Sequence, residues 1–323
     1  MARPTAATVV TYDSDVSNTL QMDPEGRPAR GSVDVPRVVA RVVAVGGLDP
    51  TGGAGLVRDY LTARALGAEP RLVASAFTEQ SPRRGVVAVE PRDPACLEQS
   101  VRLALDLVAE EDERARRPPA VSVKIGMVPG RAQVEAILGG LRGFAGPVVV
   151  DPVVASSSGG RLFLDELSSL RPLLKRATLV TPNALEAARL ARMPVASLAD
   201  AVEAGRRLRL ELGLEAVLIK GGHLSDATAT DVLLGPSAGE SAPGTPGSGR
   251  HRLEEEETRF EAPRLSVGKV RGTGCALATA IAVELARGRD LVVAIRHAKA
   301  WLTEALRTSE VVGDELHLGP ASG

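Results

Sequence analysis

Arg37-Val-Val-Ala-Arg-Val-Val-Ala-Val45 is a β-branched run that stops at Gly46-Gly47 and passes through Leu48-Asp-Pro-Thr-Gly-Gly-Ala-Gly55 into a segment of helical character. β-branched side chains fit a pleated surface, and clustered glycines mark a turn the chain must make tightly. This strand, glycine loop and helix set a pattern that the rest of the chain repeats. Strand-like segments lie near 71–76, 86–90, 121–125, 147–151, 178–180 and 216–220. Helix-like segments lie near 54–67, 93–109, 131–142, 163–175, 184–192, 198–212, 275–287 and 290–309. Such alternation predicts βαβ units with right-handed crossovers, hence an α/β fold: a three-layer αβα sandwich around a mainly parallel sheet.

Composition supports this. Of 323 residues, 44% are apolar and only 2% aromatic, so the core must be built from Val, Leu, Ala and Ile, which suits strands buried on both faces. The same scarcity of rings argues against a base-stacking nucleic-acid platform. The formal net charge of −1 supplies no basic field for nucleic acid or an anionic membrane. Cys96 and Cys275 are too few for a disulfide framework. No apolar run reaches the roughly 18 residues of a membrane span, and the N-terminus lacks a signal-peptide layout. The expectation is a cytoplasmic protein with neither nucleic-acid nor membrane partners.

Residues 1–38 lack periodicity and are expected to be a disordered extension; the domain then runs from 39 to 310, with a tail at 311–323. Residues 236–257, Gly/Ser/Pro-rich and closed by Glu254-Glu-Glu-Glu257, read as a surface insertion with a charged edge.

Seven clusters carry chemistry. Gly46–Gly55 combines close-approach glycines with a helix start that can face an anion, although a simple tight turn has the same composition. Asp59 lies one helical turn beyond. In Ser75-Ala-Phe-Thr-Glu-Gln-Ser-Pro-Arg-Arg-Gly-Val86 the chain leaves a strand for a polar loop, where Gln80 offers a donor and an acceptor matching an aminopyrimidine edge. Val121-Ser-Val-Lys-Ile-Gly-Met127 puts Lys124 inside a strand, where it needs a partner, and leaves Met127 to line an apolar wall. Val148-Val-Val-Asp-Pro-Val153 sets Asp151 at the carboxyl end of a buried strand, the edge where open α/β sheets bind ligands. Thr181-Pro-Asn-Ala-Leu-Glu186 reads as a helix cap, and Ala216-Val-Leu-Ile-Lys-Gly-Gly-His223 as a strand whose Lys220 can meet a phosphate; Asp231-Val-Leu-Leu234 completes a hairpin. Arg271-Gly-Thr-Gly-Cys-Ala-Leu-Ala-Thr-Ala280 opens an alanine-rich helix on free amides, a pocket for phosphoryl charge. The helix field is expected to lower the Cys275 thiol pKa; a small buried Cys is the plain alternative.

In order and spacing these clusters resemble the hydroxymethylpyrimidine kinase / phosphomethylpyrimidine kinase family of the ribokinase-like fold, from about residue 39 to 310. The decisive elements are Gly46–Gly55, Lys124-Ile-Gly-Met127, Thr181-Pro-Asn-x-x-Glu186, Lys220-Gly-Gly-His223 and Gly272-Thr-Gly-Cys275. The resemblance implies two ATP-dependent phosphorylations, of 4-amino-5-hydroxymethyl-2-methylpyrimidine and then of its monophosphate. It implies that Asp59, Gln80, Thr78, Gly47 and Met127 hold the pyrimidine, and that Gly272, Thr273 and Gly274 form the anion hole. Cys275 is implied as catalytic base, Thr181, Asn183 and Lys220 as nucleotide contacts, and Asp151 and Glu186 as the Mg²⁺ environment. Relatives are often dimers, so a homodimer is implied as well. The loop Glu79-Gln-Ser-Pro-Arg-Arg-Gly85 departs from the family's Ala-Gln-Asn-Thr-Arg-Gly. A vitamin B6 kinase of the same fold and a non-catalytic pyrimidine-binding protein are the alternatives.

Overall fold

The computed structural model describes residues 8–10, 39–81, 84–115, 120–155, 160–222, 228–235, 256–312 and 315–319. Its strands are β1 (Thr8–Val10), β2 (Arg41–Leu48), β3 (Glu69–Ser81), β4 (Gly85–Pro91), β5 (Val121–Ile125), β6 (Val148–Val150), β7 (Leu179–Val180), β8 (Val217–Ile219), β9 (Thr228–Gly235), β10 (Glu256–Pro263), β11 (Glu310–Val312) and β12 (Glu315–His317). Its α-helices are α1 (Gly55–Ala65), α2 (Pro94–Ala115), α3 (Arg131–Gly140), α4 (Arg171–Arg176), α5 (Ala184–Ala191), α6 (Leu198–Leu212), α7 (Thr273–Ala286) and α8 (Leu291–Arg307).

The main sheet runs β1-β10-β9-β8-β7-β6-β5-β2-β3-β4. From β8 to β3 all neighbours are parallel; β4 and β9 are antiparallel additions at either side. Alternate residues of the central strands feed two cores, as strand geometry requires. Val43, Val45, Val148, Val150, Val217 and Ile219 face the layer containing α2–α6. Val42, Val149 and Leu218 face α7 and α8. Helix α7 is buried from Ala276 through Ala286, and its small side chains let it lie against the sheet. Truncating one such position, Ile281→Ala, is expected to cost about 2–5 kcal/mol.

Helix starts fall where the caps dictate. Asn183 and Glu186 form a reciprocal capping box on α5, and Ser197 with Asp200 forms another on α6. Gly213 ends α6 in the left-handed conformation, where a Cβ is disfavoured.

Four placements differ from the sequence reading. The stretch taken as strand 71–76 plus a polar loop is one 13-residue strand, β3, whose far half pairs with β4 as a flap with a bulge at Glu79/Gln80. The helix expected at 163–175 is a 3-10 turn at Leu167–Leu170 followed by short α4, because Pro172 can sit only in a first turn. Within the segment expected to be disordered, Thr8–Val10 pairs parallel to β10. Glu256 and Glu257, read as part of a loop edge, pair with Gly235 and Leu234 to open β10. The remainder of the 236–257 insertion and His223 lie outside the described residues.

Candidate active site

The carboxyl ends of the parallel strands open into one cavity of about 600 Å³. At its floor, Lys124 of β5 donates to both carboxylate oxygens of Asp59 on α1, at 2.8 Å each. Thr279 of α7 donates to the same carboxylate at 2.8 Å. Both charges are buried, with 1% and 0% side-chain exposure. Burial opposes the lysine's charge, yet Asp59 and Cys275 outweigh it and hold the Lys124 pKa above its ordinary value. The sequence showed that Lys124 needed a partner; only the fold shows that it is Asp59, 65 residues away.

A second pair lies beside it. Lys220, just past β8, donates to Asp151 at 2.6 Å, and Thr181 donates to the same oxygen at 3.3 Å. Glu186 lines the cavity too. Burial first, and then the charge of Asp151, push its carboxyl up to about 7 against the pull of Lys220. Thr181, expected at the nucleotide, is fully buried behind Asp151 and touches it rather than the cavity.

Above these pairs stands the start of α7. Gly272 is its N-cap in the left-handed region at φ 74°. A Cβ there would fall 2.3 Å from the Gly53 oxygen, so only glycine fits. The first intrahelical bond runs from the Ala276 amide to the Gly272 carbonyl, which leaves the amides of Thr273, Gly274 and Cys275 ahead of the ladder. A Cβ on Gly274 would sit 3.1 Å from Lys220 Nζ and 3.5 Å from Asp151 Oδ2, so the free amides adjoin the second pair.

Cys275 does not behave as its helix position suggested. Burial pushes its thiol up to about 11, although the Lys124 charge and a hydrogen bond from the Gly55 amide pull the other way. Burial is the largest cause, and the negative charges of Asp59 and Asp151 act in the same direction.

The opposite wall comes from the glycine loop and the flap. Met127 packs against Gly47, leaving 2.5 Å between its sulfur and a hypothetical Cβ. Thr78 donates to the Leu48 carbonyl at 2.9 Å and ties flap to loop. Gln80 lines the cavity, and its side-chain oxygen is buried without a hydrogen-bond partner. Gln80 follows Ala76 and Thr78 on the inward face of β3, as strand alternation requires, while the extra residue of the bulge, Val87, lies on β4.

The structure therefore brings Gly47, Asp59, Thr78, Gln80, Met127, Asp151, Asn183, Glu186, Lys220 and Gly272–Cys275 to one cavity, and leaves Thr181 behind it. Two further pairs line it that the sequence did not single out: Arg271 with Asp49 at 3.0 Å, and Lys299 with Asp231 at 2.7 Å. Their partners lie 222 and 68 residues apart, too far for local spacing to signal.

Helix-start amides ahead of the ladder adjoin a lysine at the carboxyl edge of a mainly parallel sheet, the edge where open α/β sheets bind ligands, and the fold is that of the ribokinase-like small-molecule kinases. A family model described as phosphomethylpyrimidine kinase matches residues 49–245 and 249–320. The hydroxymethylpyrimidine/phosphomethylpyrimidine kinase of Rhizobium meliloti is 35% identical over 291 residues, covering 88% of this chain and 96% of that protein. The enzyme of the same description from Salmonella typhimurium is 34% identical over 283 residues, covering 86% and 95%. A phosphomethylpyrimidine kinase structure from Clostridium difficile superposes with TM-score 0.62 at 29% identity, covering 82% of this chain and 99% of that one. A Staphylococcus aureus pyridoxal kinase in complex with AMP-PCP and pyridoxal, at 21% identity and TM-score 0.69 over 88% of this chain and 94% of that one, shares the fold. The chain belongs to the phosphomethylpyrimidine kinase family.

Proposed function

We propose that this chain transfers the γ-phosphoryl group of ATP to 4-amino-5-hydroxymethyl-2-methylpyrimidine, and then to the resulting monophosphate, in thiamine biosynthesis. The observation that carries the reading is the joint lining of one cavity by Gln80, with its unpaired buried oxygen, and by Gly272–Cys275 at the helix start. A buried unpaired amide oxygen is costly, and a ring amino group would satisfy it. Met127 and the glycine loop supply the flat apolar wall such a ring needs.

Phosphoryl transfer asks mainly for alignment and charge stabilisation. In this reading the Thr273, Gly274 and Cys275 amides receive the charge that spreads over the transferring group, and Lys220 holds a neighbouring phosphate oxygen. Cys275 faces the hydroxymethyl group and accepts its proton in the thiolate form, which Lys124 and the Gly55 amide favour. The Asp59–Lys124 pair fixes the floor under that sulfur.

Asp151 and Glu186 fit a Mg²⁺ site completed by phosphate oxygens. Among the described residues no group of three or more His, Cys, Asp or Glu is placed to hold a metal, and in this reading the phosphate oxygens supply the other ligands. Burial first, and then the charge of Asp151, raise the Glu186 carboxyl, and a phosphate-bound cation beside it would favour the ionised form. When bound, Mg²⁺ would neutralise phosphate charge. The resemblance also supports a homodimer and a cytoplasmic location. No helix among the described residues is long and apolar enough to cross a membrane.

The test is a coupled ADP-release assay with the hydroxymethylpyrimidine, its monophosphate and pyridoxal offered separately. ADP release with the first two, at a higher kcat/KM than with pyridoxal, is expected. Silence with both pyrimidines would sink the reading.

A further inference from the structure

The last described residues form a strap under the catalytic end of the fold. Hairpin β11–β12 is joined to the chain just before α7 by a Val270–Leu316 parallel bridge and by a hydrogen bond from the Arg271 amide to the Leu316 carbonyl at 3.0 Å. Arg58 of α1 donates to the Leu318 carbonyl at 3.3 Å, and the Gly319 amide to the Ala305 carbonyl of α8 at 3.2 Å. The His317 ring lies against Gly53, where a Cβ would be 3.1 Å from Nε2. Four residues thus tie four separate segments together.

At the centre of this strap the Arg271 guanidinium divides its fork. Nη1 donates to Glu315 of β12 at 2.8 Å, and Nη2 to Asp49 of the first glycine loop at 3.0 Å. All three side chains are largely buried. The second oxygen of Asp49 accepts from both the amide and the hydroxyl of Thr51, each at 2.9 Å, so its carboxylate is fixed from the loop side as well. Arg271 is bonded covalently to Gly272, the cap on which the free amides depend. A planar guanidinium held on two sides has little freedom, and neither has the peptide that follows it.

We propose that Arg271, clamped between Glu315 and Asp49, is a positioning residue that holds the anion hole in register with the glycine loop, and that the C-terminal hairpin is part of the catalytic apparatus through this clamp. The idea rests on the kinase reading for its effect on turnover, but not for its structural content. Arg271 and Asp49 line the cavity, and the clamp is assigned a positioning role through the two loops it joins. It fixes the separation between the glycine loop and the start of α7, and small errors in such a separation are felt in turnover rather than in binding.

Glu315→Gln keeps the shape and removes the charge; Arg271→Lys keeps the charge and removes the fork. For both, kcat is expected to fall on the order of tenfold, with KM for ATP and for the pyrimidine alcohol within about twofold of wild type. Amide hydrogen exchange supplies a readout independent of turnover. The Arg271 amide, bonded to Leu316, and the Ala276 amide, bonded to Gly272, are expected to lose protection, while those from Ala280 to Ala286 keep theirs. Unchanged kcat with unchanged protection overturns the proposal. So does loss of protection along the whole of α7, which would make the clamp a general stabiliser, or a rise in KM at constant kcat. If the wild-type chain phosphorylates no pyrimidine alcohol, the functional reading fails by itself and the exchange measurement still decides the clamp.

Discussion

Replacing Lys124 by Met leaves Asp59 as a carboxylate with no solvent exposure and Thr279 as its remaining donor. Removing one partner of a fully buried pair costs about 3–5 kcal/mol, because the other charge stays buried without compensation. Whole domains are stable by only about 5–15 kcal/mol, so the variant should stand near the edge of unfolding at neutral pH. The sign of its pH dependence follows from burial, which raises the Asp59 carboxyl above its ordinary value. A group raised on folding contributes stability at low pH that is lost as pH rises. Without Lys124 to pull it down, that effect grows, so Lys124→Met should recover stability on going from pH 8 to pH 5. Urea denaturation at the two pH values, together with Asp59→Asn and the double variant, measures this. The double variant should be more stable than the two single costs predict by addition. Strict additivity within about 0.5 kcal/mol, or no recovery on acidification, would refute the pair as an electrostatic unit.

Three further outcomes follow from the geometry. With the Cys275 thiol pushed up to about 11, its acceptor form is scarce at neutral pH, so kcat/KM should climb by about tenfold per unit on the alkaline side; Cys275→Ala should cut turnover, abolish the climb and leave pyrimidine binding nearly intact, and a flat wild-type profile would remove Cys275 as base. Glu186 at about 7 should give a second inflection, with activity rising as it ionises and can meet Mg²⁺, and Glu186→Gln should erase that inflection and raise the Mg²⁺ requirement in a metal titration. Gly55→Ala forces a Cβ to within 2.3 Å of the Gly47 oxygen at φ 58°, and should lower both the melting temperature and the affinity for the pyrimidine in calorimetry.

The parallel core was legible because its signals are local. Val42–Val45 and Val148–Val150 declare buried strands by composition, and the α5 and α6 boundaries follow from their caps to within a residue. The flap was not legible. Pro82, Arg83 and Arg84 read as loop, whereas pairing with Gly85–Pro91 carries β3 as far as Ser81. The site shows the same division. Gly272–Cys275 stood out as a glycine-flanked helix start and Gln80 as a polar loop residue, and only the resemblance gave them roles. Arg271–Asp49–Glu315 and Lys299–Asp231 did not stand out, because each member alone is an ordinary charged residue and only tertiary contact makes it a pair. For Cys275 the helix start is visible in sequence, while the burial that raises its thiol, and the negative neighbours that add to it, appear only in the fold.

The claim on which the account rests is that one pocket holds a pyrimidine alcohol against the amides that receive phosphoryl charge. A crystal structure with a non-hydrolysable ATP analogue and the hydroxymethylpyrimidine measures it directly. The ring should contact Gln80 and Met127, with its hydroxyl between Cys275 and a terminal phosphate seated on the Thr273–Cys275 amides. A ring bound away from Gln80, or a terminal phosphate away from that helix start, would contradict it.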